Sequence, residues 1–197
     1  MGNGVFDFDE RICGAVERFA DKERLETLRS CLYNVLDAFP EPGAFDRFYT
    51  NPPWGASNEG ESVKVFMQRG MEATGYRGQG MVVVADDPDL DWPKRVLARL
   101  QGAALDAGFF VQRMPTHVHS YHLDDNPDLR SCNVIVNALS DAGQPVKSEA
   151  IRDADRLAHF YGRNLIPHVR YVREKPRLDY GKAHDREYEF ELLEESR

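Results

Sequence analysis

Short apolar runs alternate along this chain with stretches whose apolar residues recur every three or four positions, a rhythm that predicts strands separated by helices. Gly4 to Phe8 (GVFDF) reads as a strand, and Asp9 caps a helix carrying Ile12, Val16 and Phe19 on one face. Leu28 to Val35 has strand-like spacing, and Phe45 to Thr50 is a short strand running into Asn51-Pro52-Pro53-Trp54. Ser62 to Thr74 places Val63, Phe66, Met67 and Met71 on one helical face. Gly78 to Ala85 is apolar but for Gln79, as expected of a strand buried on both faces. Asp91 is placed to cap a helix with Trp92, Val96, Leu97, Leu100 and Ala104 inside, and Gly108 ends it before a strand from Phe109 to Met114. Ser131 to Leu139 predicts a last sheet strand, returning antiparallel after Asp124-Asp125-Asn126-Pro127. Glu149 to Tyr161 has helical spacing, Ile166 to Arg173 reads as an edge strand, and the charged tail keeps Tyr188 and Phe190 as its anchors.

This order predicts an α/β fold: a doubly wound, mostly parallel sheet with an antiparallel edge pair, whose polar loops converge beyond the carboxyl ends of the strands. Residues 1–145 form the expected main domain, and 146–197 supply a helix, an edge strand and the tail.

Composition narrows the function. The 25 basic and 33 acidic side chains among 197 residues leave a net charge of −8, which repels phosphate backbones and attracts cations, so nucleic acid is not an expected partner. No apolar run is long enough to span a bilayer and the N-terminus has no signal-peptide core, so no membrane partner is expected and the expected compartment is the cytoplasm. Cys13, Cys31 and Cys132 are widely spaced, which suits small core residues in a reducing compartment better than a thiolate metal site.

The most informative segment is Asn51-Pro52-Pro53-Trp54. An Asn carboxamide oxygen and the carbonyl of the next Pro can accept two hydrogen bonds from an amine and leave its lone pair aimed elsewhere. The Trp54 ring can stack on a planar group or hold a cation over its face. Asp7 closes the first strand, where a carboxylate can bind ribose hydroxyls beside Phe8, and Asp37, after the second, can accept from an adenine amino group. Glu59, Glu61, Asp86, Asp87, Asp124 and Asp125 fall in loops at strand ends, where carboxylates can hold ammonium groups. Tyr121 and His122 can line the same cleft. His117, His119 and His122 have a spacing that can ligate a metal, but no Cys or firm carboxylate completes the set, and no metal is expected.

The stretch FDRFYTNPPWGASNEGESVKVFMQRGMEA, followed by VVVADD and SYHLDDNPDL, resembles the branched-chain polyamine synthases, also called bis(aminopropyl)spermidine synthases, of the class I methyltransferase-like superfamily. The likeness covers roughly residues 4–139. The resemblance implies aminopropyl transfer from decarboxylated S-adenosylmethionine to an amine of a polyamine such as spermidine. Asn51, Pro52, Pro53 and Trp54 would then act at the reacting amine, Asp7, Phe8 and Asp37 on the donor, and Glu59, Glu61, Asp86, Asp87, Tyr121 and His122 on the acceptor. Methyl transfer from S-adenosylmethionine to an amine, or a noncatalytic polyamine-binding module, are the alternatives. In the family a first strand and a Gly-Asp-Asp-Asp donor loop precede the strand that closes at Asp7. This sequence holds no such run, so a fold short of that strand is expected, truncated or completed by a second copy or another chain.

Overall fold

A computed structural model describes residues 2–54, 59–121, 129–143, 146–158, 160, 168–175 and 188–193. The chain divides into two compact units, residues 1–37 with 167–197, and residues 38–166.

In the first unit, β1 (Asn3–Asp7) and β2 (Leu28–Leu32) pair in parallel, with Val5 opposite Ser30, joined by α1 (Glu10–Glu23). Asp9 caps α1 as the sequence predicts: its backbone is extended, and its Oδ1 accepts from the Arg11 N–H at 2.9 Å. The helix stops at Arg24, whose φ of 55° is left-handed and turns the chain back toward β2. Two strands of the tail complete this unit, β8 (Val169–Glu174) and β9 (Tyr188–Leu192), an antiparallel pair. Val172 N–H donates to Phe8 O at 3.0 Å, and Asn34 Nδ2 donates to Arg170 O at 2.7 Å, so β8 is tied to the loops that follow β1 and β2. The edge strand expected over 166–173 is β8, and the anchors Tyr188 and Phe190 lie in β9, which pairs with it.

The second unit runs β3 (Arg47–Thr50), α2 (Glu61–Ala73), β4 (Gln79–Ala85), α3 (Asp91–Asp106), β5 (Phe109–Arg113), β6 (His119–Ser120), β7 (Arg130–Ala138) and the short α4 (Ala154–Ala158). Its sheet has the order β3-β4-β7-β5, with β6 also on β7. β3 and β4 are parallel; β7 is antiparallel to β4, β5 and β6. β3, β4 and β5 thus share one direction, and the expected antiparallel edge pair is β7 with β5, which makes the sheet mixed. Val63, Met67 and Met71 of α2 and Val96, Leu97, Leu100 and Ala104 of α3 meet one cluster with Val82, Val84, Val134 and Val136 on a single sheet face. Val83, turned to the other face by the period of two, is buried as well, which explains the unbroken apolar run of β4.

Two glycines set how closely α2 approaches this sheet. The Phe48 ring lies between Gly70 of α2 and Gly80 of β4, and a Cβ would fall 2.3 Å from its Cδ2 at the first position and 2.0 Å from its Cζ at the second. Asp91 does not cap α3. Leu90 occupies that position, and Asp91 sits in the first turn, 3.5 Å from Lys94 Nζ. The helix expected from Glu149 to Tyr161 is only the five residues of α4 among those described. Residues 148 and 149 are instead committed to α2, as polar partners of a buried arginine. Among the described residues, no helix is long and apolar enough to cross a membrane.

Candidate functional site

The carboxyl ends of β3 and β4 lead into residues that the sequence singles out. Thr50 pairs with Val82 across β3 and β4, so Asn51 leaves the sheet while β4 continues three residues further to Ala85. Asn51 is exposed, Pro52 is buried, and Trp54 is half-buried against the core. Ser62, at the start of α2, donates its hydroxyl to Pro53 O in a very short hydrogen bond, which fixes the loop to the helix. The two prolines hold φ near −65° on their own, so the Asn51 carboxamide stands on a stiff support.

The Trp54 indole stacks on Trp92 of α3, with ring centroids 6.2 Å apart and planes 30° apart, and meets the Tyr121 ring edge-on at 5.3 Å. Tyr121 is held in turn by its hydroxyl, 3.3 Å from Ser131 Oγ on β7. The structure thus brings together Trp54 and Tyr121, as the sequence implies, and adds Trp92, which sequence reading assigns to a helix interior. Its position one residue into a helix that starts at the sheet rim is the signal that was available. Among the described residues the buried Trp54 Nε1 has no hydrogen-bond partner, and the ring is held by packing on the core and on the two aromatic rings.

Asp86 and Asp87 follow β4 directly. Asp86 N–H donates to Arg130 O at 2.9 Å, and its Oδ2 accepts from His117 N–H at 3.3 Å with His117 Nε2 3.8 Å away. His117 has φ 51°, a left-handed backbone that only a well-supported site tolerates in a non-glycine residue. On β7, burial and the Asp86 charge push the Cys132 thiol up to about 12. Asp87 Oδ1 accepts from Asp89 N–H at 2.9 Å.

The other acidic candidates have partners of their own. Glu59 is paired with Arg99 of α3, and Glu61 Oε1 lies 2.5 Å from Arg156 Nε of α4. His122, Asp124 and Asp125 lie outside the described residues.

Asp7, Phe8 and Asp37 belong to the first unit. Asp7 closes β1, and its Oδ1 accepts from the Asp9 N–H at 2.8 Å; burial holds its carboxyl above the usual range, against the opposing pull of that hydrogen bond. Phe8 is exposed beside it. Asp37 lies five residues past the end of β2, where its Oδ2 is 3.4 Å from Arg170 Nη2 and 3.3 Å from the Tyr171 hydroxyl. Asp9, one residue from Phe8, is held below the carboxylate range by the Arg11 guanidinium. Among the described residues no cluster of His, Cys, Asp and Glu has the geometry of a metal site.

The family model of the branched-chain polyamine synthase A C-terminal domain matches residues 4–186. The chain belongs to this family. The branched-chain polyamine synthase of Thermus thermophilus, solved with N4-aminopropylspermidine and 5'-methylthioadenosine, is 20% identical with a TM-score of 0.60, covering 76% of this chain and 47% of that one. The C9 mutein of that synthase, with the same two ligands, has a TM-score of 0.62 at the same identity and coverage. A putative RNA methyltransferase from Pyrococcus horikoshii is 14% identical with a TM-score of 0.52, covering 71% of this chain and 64% of that one. These likenesses show the class I methyltransferase-like fold. An uncharacterized protein of Methanocaldococcus jannaschii is 29% identical over 119 residues, 59% of this chain and 28% of that protein. The chain therefore spans less than half the length of the synthases and of this relative.

Proposed function

We propose that this chain carries the amine-binding side of an aminopropyl transfer from decarboxylated S-adenosylmethionine to a polyamine such as spermidine. The observation that carries the reading is the proline-stiffened Asn51 at the carboxyl end of β3, in a chain of the polyamine synthase family. Asn51 Oδ1 and the Pro52 carbonyl accept hydrogen bonds from the neutral acceptor amine and turn its lone pair toward the donor. The nitrogen attacks the methylene carbon attached to the sulfonium. The carbon–sulfur bond breaks, its electrons pass to sulfur, and 5'-methylthioadenosine leaves while the new ammonium releases a proton. Alignment supplies most of the rate, because both the nucleophile and the leaving group are intrinsically competent.

Asp86 and Asp87 hold the acceptor's remaining ammonium groups by charge-assisted hydrogen bonds, favoured by the net charge of −8. Glu59 and Glu61 contribute less, since each already balances an arginine. Asp7 and Asp37 hold the donor's ribose and adenine, with Phe8 beside the ring. The test is calorimetric titration of the chain with decarboxylated S-adenosylmethionine, S-adenosylmethionine and spermidine, repeated on Asn51→Ala. Preference for the decarboxylated donor, with spermidine binding weakened in Asn51→Ala, supports the reading. Preference for S-adenosylmethionine replaces it with methyl transfer, and spermidine binding without either nucleoside replaces it with a binding module.

A further inference from the structure

Both tryptophans of the chain stand in one stacked pair at the sheet rim. Trp54 arrives from the loop after β3 and Trp92 from the first turn of α3, so two separate elements place indoles side by side. Each is half-buried: part of the ring packs on the core and the rest meets solvent. The Tyr121 ring, fixed by Ser131, closes one side of Trp54. Carboxylates border the same rim, since Asp86 and Asp87 follow β4 and Asp91 precedes Trp92 in α3. Large apolar faces beside acidic groups match a ligand that alternates methylene segments with positive charges.

We infer that Trp92 determines acceptor specificity: with Trp54 and Tyr121 it forms an aromatic wall along which the methylene chain and an ammonium of a linear polyamine lie. This deepens the amine-acceptor reading and rests on it, but not on which group is transferred. The wall favours long amines over short ones, because a longer methylene chain covers more of its apolar surface. A cation over an indole face changes affinity by roughly two- to five-fold when exposed and about thirty-fold when desolvated, so about ten-fold is expected at these half-buried rings.

The chain offers its own reporter, because all of its tryptophan emission comes from this pair. Spermidine, 1,3-diaminopropane and propylamine are titrated into the full chain by calorimetry and by tryptophan fluorescence, then into Trp92→Leu and Trp92→Phe, with circular dichroism to check folding. The expected result is a saturable change in emission with spermidine, an affinity about ten-fold lower in Trp92→Leu, retention within about three-fold in Trp92→Phe, and little change for propylamine. Equal spermidine affinity in a folded Trp92→Leu overturns the inference and leaves the amine-acceptor reading standing. Calorimetric binding of spermidine to the unaltered chain without any change in tryptophan emission overturns it too, whether or not the variants fold. Absence of all amine binding overturns both. Amine binding without nucleoside binding removes the transfer reaction and leaves the aromatic wall.

Discussion

Arg69 Nη1 lies 2.7 Å from Glu72 Oε2, one turn apart on α2, with only 4% and 1% of the two side chains exposed. Ser148 Oγ donates to the same Glu72 oxygen at 2.6 Å and accepts from Phe39 N–H at 2.6 Å, while Arg69 Nη2 donates to Glu149 O at 2.8 Å. The pair is thus the joint at which two loops, around residues 39 and 148, are pinned to the helix behind the sheet. Removing one partner leaves a buried charge, so Glu72→Ala is expected to cost about 3–5 kcal/mol. Arg69→Met combined with Glu72→Leu should cost less than either single change, because no charge is stranded. Urea unfolding of the three variants measures this, and additive losses would contradict it.

Phe48 between Gly70 and Gly80 gives a second expectation. Gly80→Ala drives a methyl into the ring and should destabilise by about 1–3 kcal/mol through overpacking. Adding Phe48→Leu should recover part of that loss, giving a coupling of about 0.5–3 kcal/mol in a double-mutant cycle. Without coupling, the strand rather than the ring would be the source of strain.

Asp7 should reveal itself through pH. Its folded carboxyl titrates above the unfolded one, mainly because burial penalises the charge. Between the two values the folded state binds more protons, so stability falls as pH rises through that window, and the cost is fully present above the folded value. Asp7→Asn should abolish this component and make the chain more stable at pH 7 than at present, with Asn Oδ1 still able to accept from Asp9 N–H. If Asp7 binds the donor, the same variant loses nucleoside affinity, so stability and binding move in opposite directions. Thermal melts from pH 3.5 to 7.5, with a nucleoside titration at pH 7, separate the two effects.

Cys132 is fully buried and its thiol is pushed up to about 12, whereas Cys31 is only partly covered. At pH 8 a thiol reagent should label Cys31 first in the folded chain, and Cys132 only at the rate of global opening. Mass mapping of the labelled sites checks the order. Early labelling of Cys132 would show that β7 opens locally.

How far the sequence carried the fold can be seen at particular elements. β4 and α2 were legible because MVVVA has no polar residue and Val63, Met67 and Met71 repeat at helical spacing, both signals of burial that act within a few residues. The α1 cap at Asp9 was equally legible, being a contact of two residues' span. Asp91 misled, since a cap is decided by backbone angles at one residue and the chain turns at Leu90 instead. The span from Glu149 to Tyr161 misled for another reason: Ser148 and Glu149 are partners of the buried Arg69–Glu72 pair, and a commitment made 80 residues away in sequence overrides local helical preference.

The same division holds for the candidate site. By itself the sequence determined the residue types at the rim, Asn51-Pro52-Pro53-Trp54 after one strand and Asp86-Asp87 after another, because strand ends and turn chemistry are written locally. Only the tertiary structure decided that Trp92 stacks on Trp54, that Arg99 and Arg156 take up Glu59 and Glu61, and that β7 lies between β4 and β5. Those outcomes depend on which elements become neighbours, and neighbours are chosen by burial of whole faces, an energy that no short stretch of sequence contains.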